Sequence, residues 1–325
     1  MPNDDKLLPL RQGEIAPVLA AADLDRMRSY AEGSIAESTK RAYRSAWRVF
    51  TQWCEARAYR SLPASPAVVA AFVADQAGRR AVATIEKYLA AIGEAHRFGK
   101  LPVPTEAVEV RTVMKGVRRK HGVAQHGKAP LLVSHLRRIS EVLPDSPIGT
   151  RDRALLLMGF AAALRRSELV GLDLADLDFR DEGLALTLRR SKTDQQGAGR
   201  LVGVPYGSHP GTCPVRAARR WIERAVLEEG PLFRPVNRHG RVASARLSGG
   251  AVAEVVKRSV QAIGLDAKQF GGHSLRAGLA TEAARAGAGE IAIMAQTGHR
   301  SVNTLRGYIR HGSLFTANAA AMVGL

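Results

Sequence analysis

The chain has 325 residues, 46% of them apolar, enough for two hydrophobic cores at the usual ~100 to 200 residues per domain. Lysine and arginine number 48 against 30 acids, a formal charge of +18, which points to a polyanion as partner. No apolar run approaches the ~18 residues of a membrane span, and Cys54 and Cys213 form no CxxC pair, which argues against a membrane protein, a disulfide framework or a zinc knuckle.

Residues 1–33 are polar at their start and too few for a domain, so they are expected to form a flexible leader in a cytoplasmic protein. Ser34 and Glu37 have the spacing of a capping box, and Tyr43, Ala46, Trp47, Phe50, Trp53 and Cys54 then recur at helical intervals. That stripe is expected in a core, with the aromatics packed inside rather than stacked on bases. Lys40, Arg41, Arg44 and Arg48 fall largely off the stripe, where they face phosphate or solvent.

Three further helical patterns, at 66–77, 82–97 and 105–120, are separated by LPASP, AGRR and GKLPVP. The last ends in KGVRRKHG, a basic cluster suited to a DNA backbone, so Lys115, Arg118, Arg119 and Lys120 join Lys87 as expected phosphate contacts. The stretch at 121–130, poor in large apolar residues and holding glycine and proline, reads as a linker. A helical domain at 34–120 is therefore expected to precede a second domain at 131–325.

The second domain opens with helices near 134–143 and 149–163. LALTLRR and RLVGVP flank the turn SKTDQQGAG and read as two antiparallel strands. Helical spacing resumes at 214–228, 248–263, 272–286, 289–296 and 301–309. The fold class is mainly α with a small antiparallel sheet, in two domains.

Phosphate loops of the GxxxxGK[ST] kind, HExxH zinc helices and GxSxG nucleophile elbows are all missing. Candidate chemistry falls instead to the histidines, arginines and tyrosine of the basic C-terminal half. In GGHSLRAG, His273 and Arg276 stand three apart, on one face of a helix starting at or near Ser274. Alone, this pair reads more readily as a helix start with a solvated arginine than as a site.

Four separated fragments change that balance when taken together. AALRRSELVGLDLADLD, RSKTDQQGAGRLVGVP, GGHSLRAGLATEAARAG and TGHRSVNTLRGYIR occur in an order and at spacings that resemble the catalytic domain of the tyrosine recombinases, or phage integrases. The likeness is greatest to the simple, Cre-type members and covers about residues 34–323. It implies that Arg165 is the first catalytic arginine and Glu168 its supporting acid. Lys192 matches the lysine of the strand-to-strand turn, His273 and Arg276 the HxxR pair, His299 the second histidine, and Tyr308 the nucleophile. Two departures stand out: Arg166 occupies a position usually apolar, and His299 stands where Cre carries tryptophan. The choice of Arg165 over Arg166 rests on the three-residue step to Glu168.

These residue types suit phosphodiester cleavage. A pentacoordinate phosphorus carries extra negative charge, which the planar forks of Arg165 and Arg276 match, with His299 adding a hydrogen bond. A phenol ionises near pH ~10, so Tyr308 needs a proton acceptor, His273, and nearby cations. Lys192 is the expected general acid for the leaving 5′-oxygen. The resemblance further implies a 3′-phosphotyrosyl link that stores the bond without ATP, with no cofactor and no metal. It also implies a Holliday junction, a double-stranded target with inverted repeats, and a tetramer on DNA formed from monomers in solution. The tail at about 312–325 is expected to dock on a neighbouring protomer. Rival readings are a type IB topoisomerase, which shares the chemistry, and a non-catalytic DNA-binding or architectural protein that keeps the fold.

Overall fold

The computed structural model of the protein describes residues 36–123, 127–189, 199–299, 301–302 and 305–307. Its contacts divide the chain into two units, residues 1–126 and 127–325.

In the first unit, four helices are present among the described residues: α1 (Glu37–Glu55), α2 (Pro66–Gln76), α3 (Val82–Phe98) and α4 (Val108–His121). The aromatic stripe of α1 turns inward. Phe50 and Trp53 meet Phe72 of α2 edge-on, with ring centroids 5.1 and 5.3 Å apart, and Phe72 in turn packs against Tyr88 of α3. Such pairs stabilise beyond the area they bury. Buried His96 closes the layer from α3, its Nε2 accepting from the Ala64 N–H at 2.9 Å while Nδ1 lies 2.8 Å from the Ile92 carbonyl.

Two helix starts differ from expectation. α1 begins at Glu37 behind Ala36, which makes no side-chain cap, so Glu37 is the first helical residue and not the third of a capping box. There it complements the helix dipole and pairs with Lys40 at 3.2 Å. The helix expected at 105–120 is split, because a 3₁₀ turn at Pro104–Glu106 ends on extended Ala107 before α4 begins.

The second unit is built around α6 (Pro147–Ala161), a helix buried along most of its length. Ser146 caps it and Pro147 supplies a preset first turn. Around it lie α5 (Val133–Val142), α8 (Pro214–Arg224), α9 (Gly249–Ala262), α10 (Ser274–Arg285) and α11 (Glu290–Thr297). The strands β1 (Leu177–Phe179), β2 (Gly183–Leu188) and β3 (Arg200–Pro205) form an antiparallel sheet in the order β1-β2-β3. β2 and β3 pair from Gly183 with Pro205 to Leu188 with Arg200. The sheet thus has one strand more than the sequence suggested. β1 is only three residues long, too short to show an alternation, and exists through its pairing with Leu184 to Leu186.

α8 stops at Arg224, short of the expected 228, where Val226 takes a left-handed φ of 48°. Two glycines allow close approach between α6 and α10. A Cβ on Gly278 would collide with the Leu131 carbonyl, and one on Gly159 would lie 2.8 Å from Leu275 and 2.9 Å from Leu169. Cys54 and Cys213 are free thiols in separate cores. Among the described residues, no helix is long and apolar enough to cross a membrane.

Candidate functional site

Between α6 and the short helix α7 (Arg166–Gly171), the turn Ala162–Ala163–Leu164 reverses the chain. Ala163 has φ 51°, a left-handed conformation that costs a residue with a Cβ energy. Arg276, the third residue of α10 and only 1% exposed, donates from Nη1 to the Ala163 carbonyl at 2.8 Å. One guanidinium therefore holds the turn that sets the position of Arg165 two residues later.

Arg165 caps α7. Buried Glu168 accepts from its backbone N–H at 2.8 Å and from its Nη1 at 2.6 Å, so one carboxylate fixes both the chain direction and the side chain. Such charge-assisted pairs are short and directional. Arg166, the neighbour the sequence left as competitor, runs across Gly272, where a Cβ would fall inside its side chain. It makes no ion pair with Glu168.

His273 is the N-cap of α10, with φ −81° and ψ −18°. The Ser274 hydroxyl accepts from the Gly271 N–H at 3.0 Å, and the Ser274 carbonyl accepts from Leu131 at 2.9 Å, so both sides of the histidine are anchored. The His273 side chain is exposed, and its pKa is lowered, first by partial desolvation and then by the nearby charges of Arg276, Arg165 and Arg166. His299 follows α11 and is lowered further, to about 4, by desolvation and then by Arg276, Arg165, His273 and Arg200. Both rings are neutral at pH 7. The mutual influence brings Arg165, Arg276, His273 and His299 into one electrostatic cluster.

The sequence reading missed Arg200, the first residue of β3. It donates from Nη1 to the Ala295 and Gln296 carbonyls, both at 3.2 Å, at the C-terminal end of α11, where cations are favoured. Gln296 donates back to Ala161 of α6 at 2.8 Å and to Gly203 of β3 at 3.0 Å. Together they pin the segment leading to His299 against the sheet. RLVGVP was read only as a strand, and its arginine gave no signal because its acceptors lie about a hundred residues away.

Lys192 and Tyr308 lie outside the described residues, as does the tail at 312–325. Just before Tyr308, Leu305 is buried against Ala280, Ala284 and Ile293, and Arg306 pairs with Glu290 at 3.2 Å. In the first unit, Arg41, Arg44, Lys87, Lys115, Arg119 and Lys120 are exposed. Lys40 pairs with Glu37, and Arg118 pairs with Glu86 at 2.8 Å. Exposed pairs of this kind are worth ~0 to 1 kcal/mol, little enough for a phosphate to displace the carboxylate. Among the described residues, no group of three or more His, Cys, Asp or Glu side chains is arranged to hold a metal ion.

Residues 131–313 match the phage integrase family. The chain is 37% identical over 292 residues to an integrase/recombinase XerD homolog of Selenomonas ruminantium, covering 89% of this chain and 86% of that protein. It is 27% identical over 312 residues to the Cre recombinase of Escherichia phage P1, covering 90% and 88%. In structure it resembles the Tn1549 transposon integrase in complex with transposon right end DNA, at TM-score 0.62 and 15% identity over 93% of this chain and 98% of that one. It also resembles the XerH site-specific recombinase bound to a palindromic substrate, at TM-score 0.60 and 18% identity over 80% and 73%. By the family match over residues 131–313 and the identity to a curated relative over most of both chains, the chain belongs to the phage integrase family, the tyrosine recombinases, enzymes that break and rejoin DNA.

Proposed function

We propose that Tyr308 is the nucleophile of this recombinase and that Arg165, Arg276 and His299 serve the scissile phosphate. His273 takes the phenolic proton, Lys192 protonates the departing 5′-oxygen, and Glu168 holds Arg165. The convergence of two guanidiniums and two neutral imidazoles on one cluster carries this reading. A neutral imidazole accepts a proton, whereas a guanidinium stays charged at any working pH. The phenolate attacks phosphorus, the P–O5′ bond breaks, and the resulting 3′-phosphotyrosyl bond is later attacked by a 5′-hydroxyl from another strand. Removing one such phosphate donor should slow cleavage by ~10² to 10³.

The exposed cations of the first unit support double-stranded DNA as the partner, gripped mainly through its backbone. We assign the helical segment 34–120 to core DNA binding, 121–130 to a linker and 131–325 to catalysis, in a cytoplasmic protein. An inverted-repeat target, a tetramer in the synaptic complex and a docking role for the tail complete the reading by likeness to the simple recombinases. The test is Tyr308→Phe on a nicked target duplex. It is expected to shift the DNA in a native gel as the wild type does and to yield no covalent adduct under denaturing conditions. An adduct that persists assigns the nucleophile elsewhere.

A further inference from the structure

Thr297, the last residue of α11, is fully buried, and its single hydroxyl makes two contacts. The Oγ1 lies 2.7 Å from the Ile293 carbonyl and 2.7 Å from Nδ1 of His299. A hydroxyl has one proton, and a carbonyl oxygen can only accept. The O–H is therefore directed at Ile293, and the lone pair left on Oγ1 faces Nδ1. For that second contact to be a hydrogen bond, Nδ1 must carry a proton. The opposite arrangement would set two acceptor oxygens 2.7 Å apart in a buried place, with no proton between them. His96 follows the same logic by another route, since Nε2 accepts from a backbone N–H and Nδ1 is left to donate to Ile92.

We propose that Thr297 is a positioning residue that fixes His299 as the Nδ1–H tautomer, so that the neutral ring offers Nε2 as a proton acceptor and not as an N–H donor. The functional consequence rests on the reading above that His299 serves the phosphate. A phosphate oxygen also only accepts, so it cannot bond to the bare Nε2 of the neutral ring. One proton taken from solvent at Nε2 makes the imidazolium, with Nδ1–H still held by Thr297, and this form does bond to phosphate. The proton returns to solvent when the phosphate leaves. Among the described residues, the charged and titratable groups acting on the ring include Arg276 and His273 at the start of α10, Arg165 before α7 and Arg200 on β3. The arginines hold the ring neutral until a phosphate offsets their charge. His299 is thus a donor only when DNA is in place, unlike an indole N–H, which donates always.

The test uses the full-length protein labelled with ¹⁵N-histidine and long-range ¹H–¹⁵N correlation spectra at neutral pH, with His299 assigned from the His299→Gln variant. The wild type and Thr297→Ser should show a protonated Nδ1 and a bare Nε2, and Thr297→Val should lose that pattern. A protonated Nε2 in the wild type, or an unchanged pattern in a folded Thr297→Val, overturns the proposal. The wild-type spectrum decides the tautomer even if the valine variant does not fold. Cleavage of a nicked duplex is then followed against pH as the ratio of variant to wild-type rate, which cancels titrations common to both. The ratio for Thr297→Val should rise with pH, because its ring is free to adopt the Nε2–H form without taking up a proton. For Thr297→Ser it should stay level. A ratio that is low but level for valine marks a merely structural role and overturns the proposal. Cleavage indifferent to His299→Gln, with the tautomer as stated, removes the role in the site and leaves the Thr297 assignment standing.

Discussion

His299 carries the largest perturbation in the cluster, and its sign has a consequence for stability. Its ring ordinarily titrates at 6.5 and is lowered to about 4 in the folded chain. Between those values the unfolded ring binds a proton that the folded ring refuses. Its contribution is therefore complete above pH 6.5 and is lost as pH falls towards 4, by ~3 kcal/mol at most. Urea unfolding of the DNA-free protein should show stability falling in that window, with a shallower fall in His299→Gln. His273 is lowered in the same direction and adds to the slope. At the same scale, the step from Arg165 to Glu168 selected one of two adjacent arginines from sequence alone. The choice was legible because a carboxylate at i+3 reaches back to a helix N-cap, and here it grips both the backbone and the side chain of Arg165.

The segment between α11 and His299 depends on a contact between distant elements. Gly298 ends the helix with φ 64°, and a Cβ there would lie 2.9 Å from Cζ of Arg200. Gly298→Ala should destabilise the protein by ~1 to 2 kcal/mol from backbone conformation alone, and by more through the collision. Combined with Arg200→Ala, the two losses should sum to more than the double variant shows, since the second change removes the atoms the new methyl would meet. A double-mutant cycle by urea denaturation measures this coupling. Helix positions in general were legible from apolar spacing, while the caps at Ser65, Ser146 and Ser248 that fix where three of them start are seen in the structure. β1 was not, because three residues show no period and owe their shape to the neighbouring strand.

For the molecule as a whole, a charge of +18 spread over the chain sets how it meets DNA. Affinity for target DNA should fall linearly with log salt at a steep slope. Lys115→Ala and Arg119→Ala should each lower that slope by about 1, with little change in which sequence is preferred. Arg118→Ala should lower it less, since its guanidinium already pairs with Glu86. Filter binding over a salt series separates the three. The amino-acid sequence by itself determined the helical class, the excess of positive charge, and the order of Arg165, His273, Arg276, His299 and Tyr308, because periodicity, composition and spacing are local properties of the chain. Tertiary structure alone decided that Arg276 holds the turn before Arg165, that Arg200 and Gln296 fasten α11 to the sheet, and that Thr297 meets His299. The first two join atoms far apart in sequence, and the third depends on the reversal at left-handed Gly298, so all three follow from how helices and strands pack.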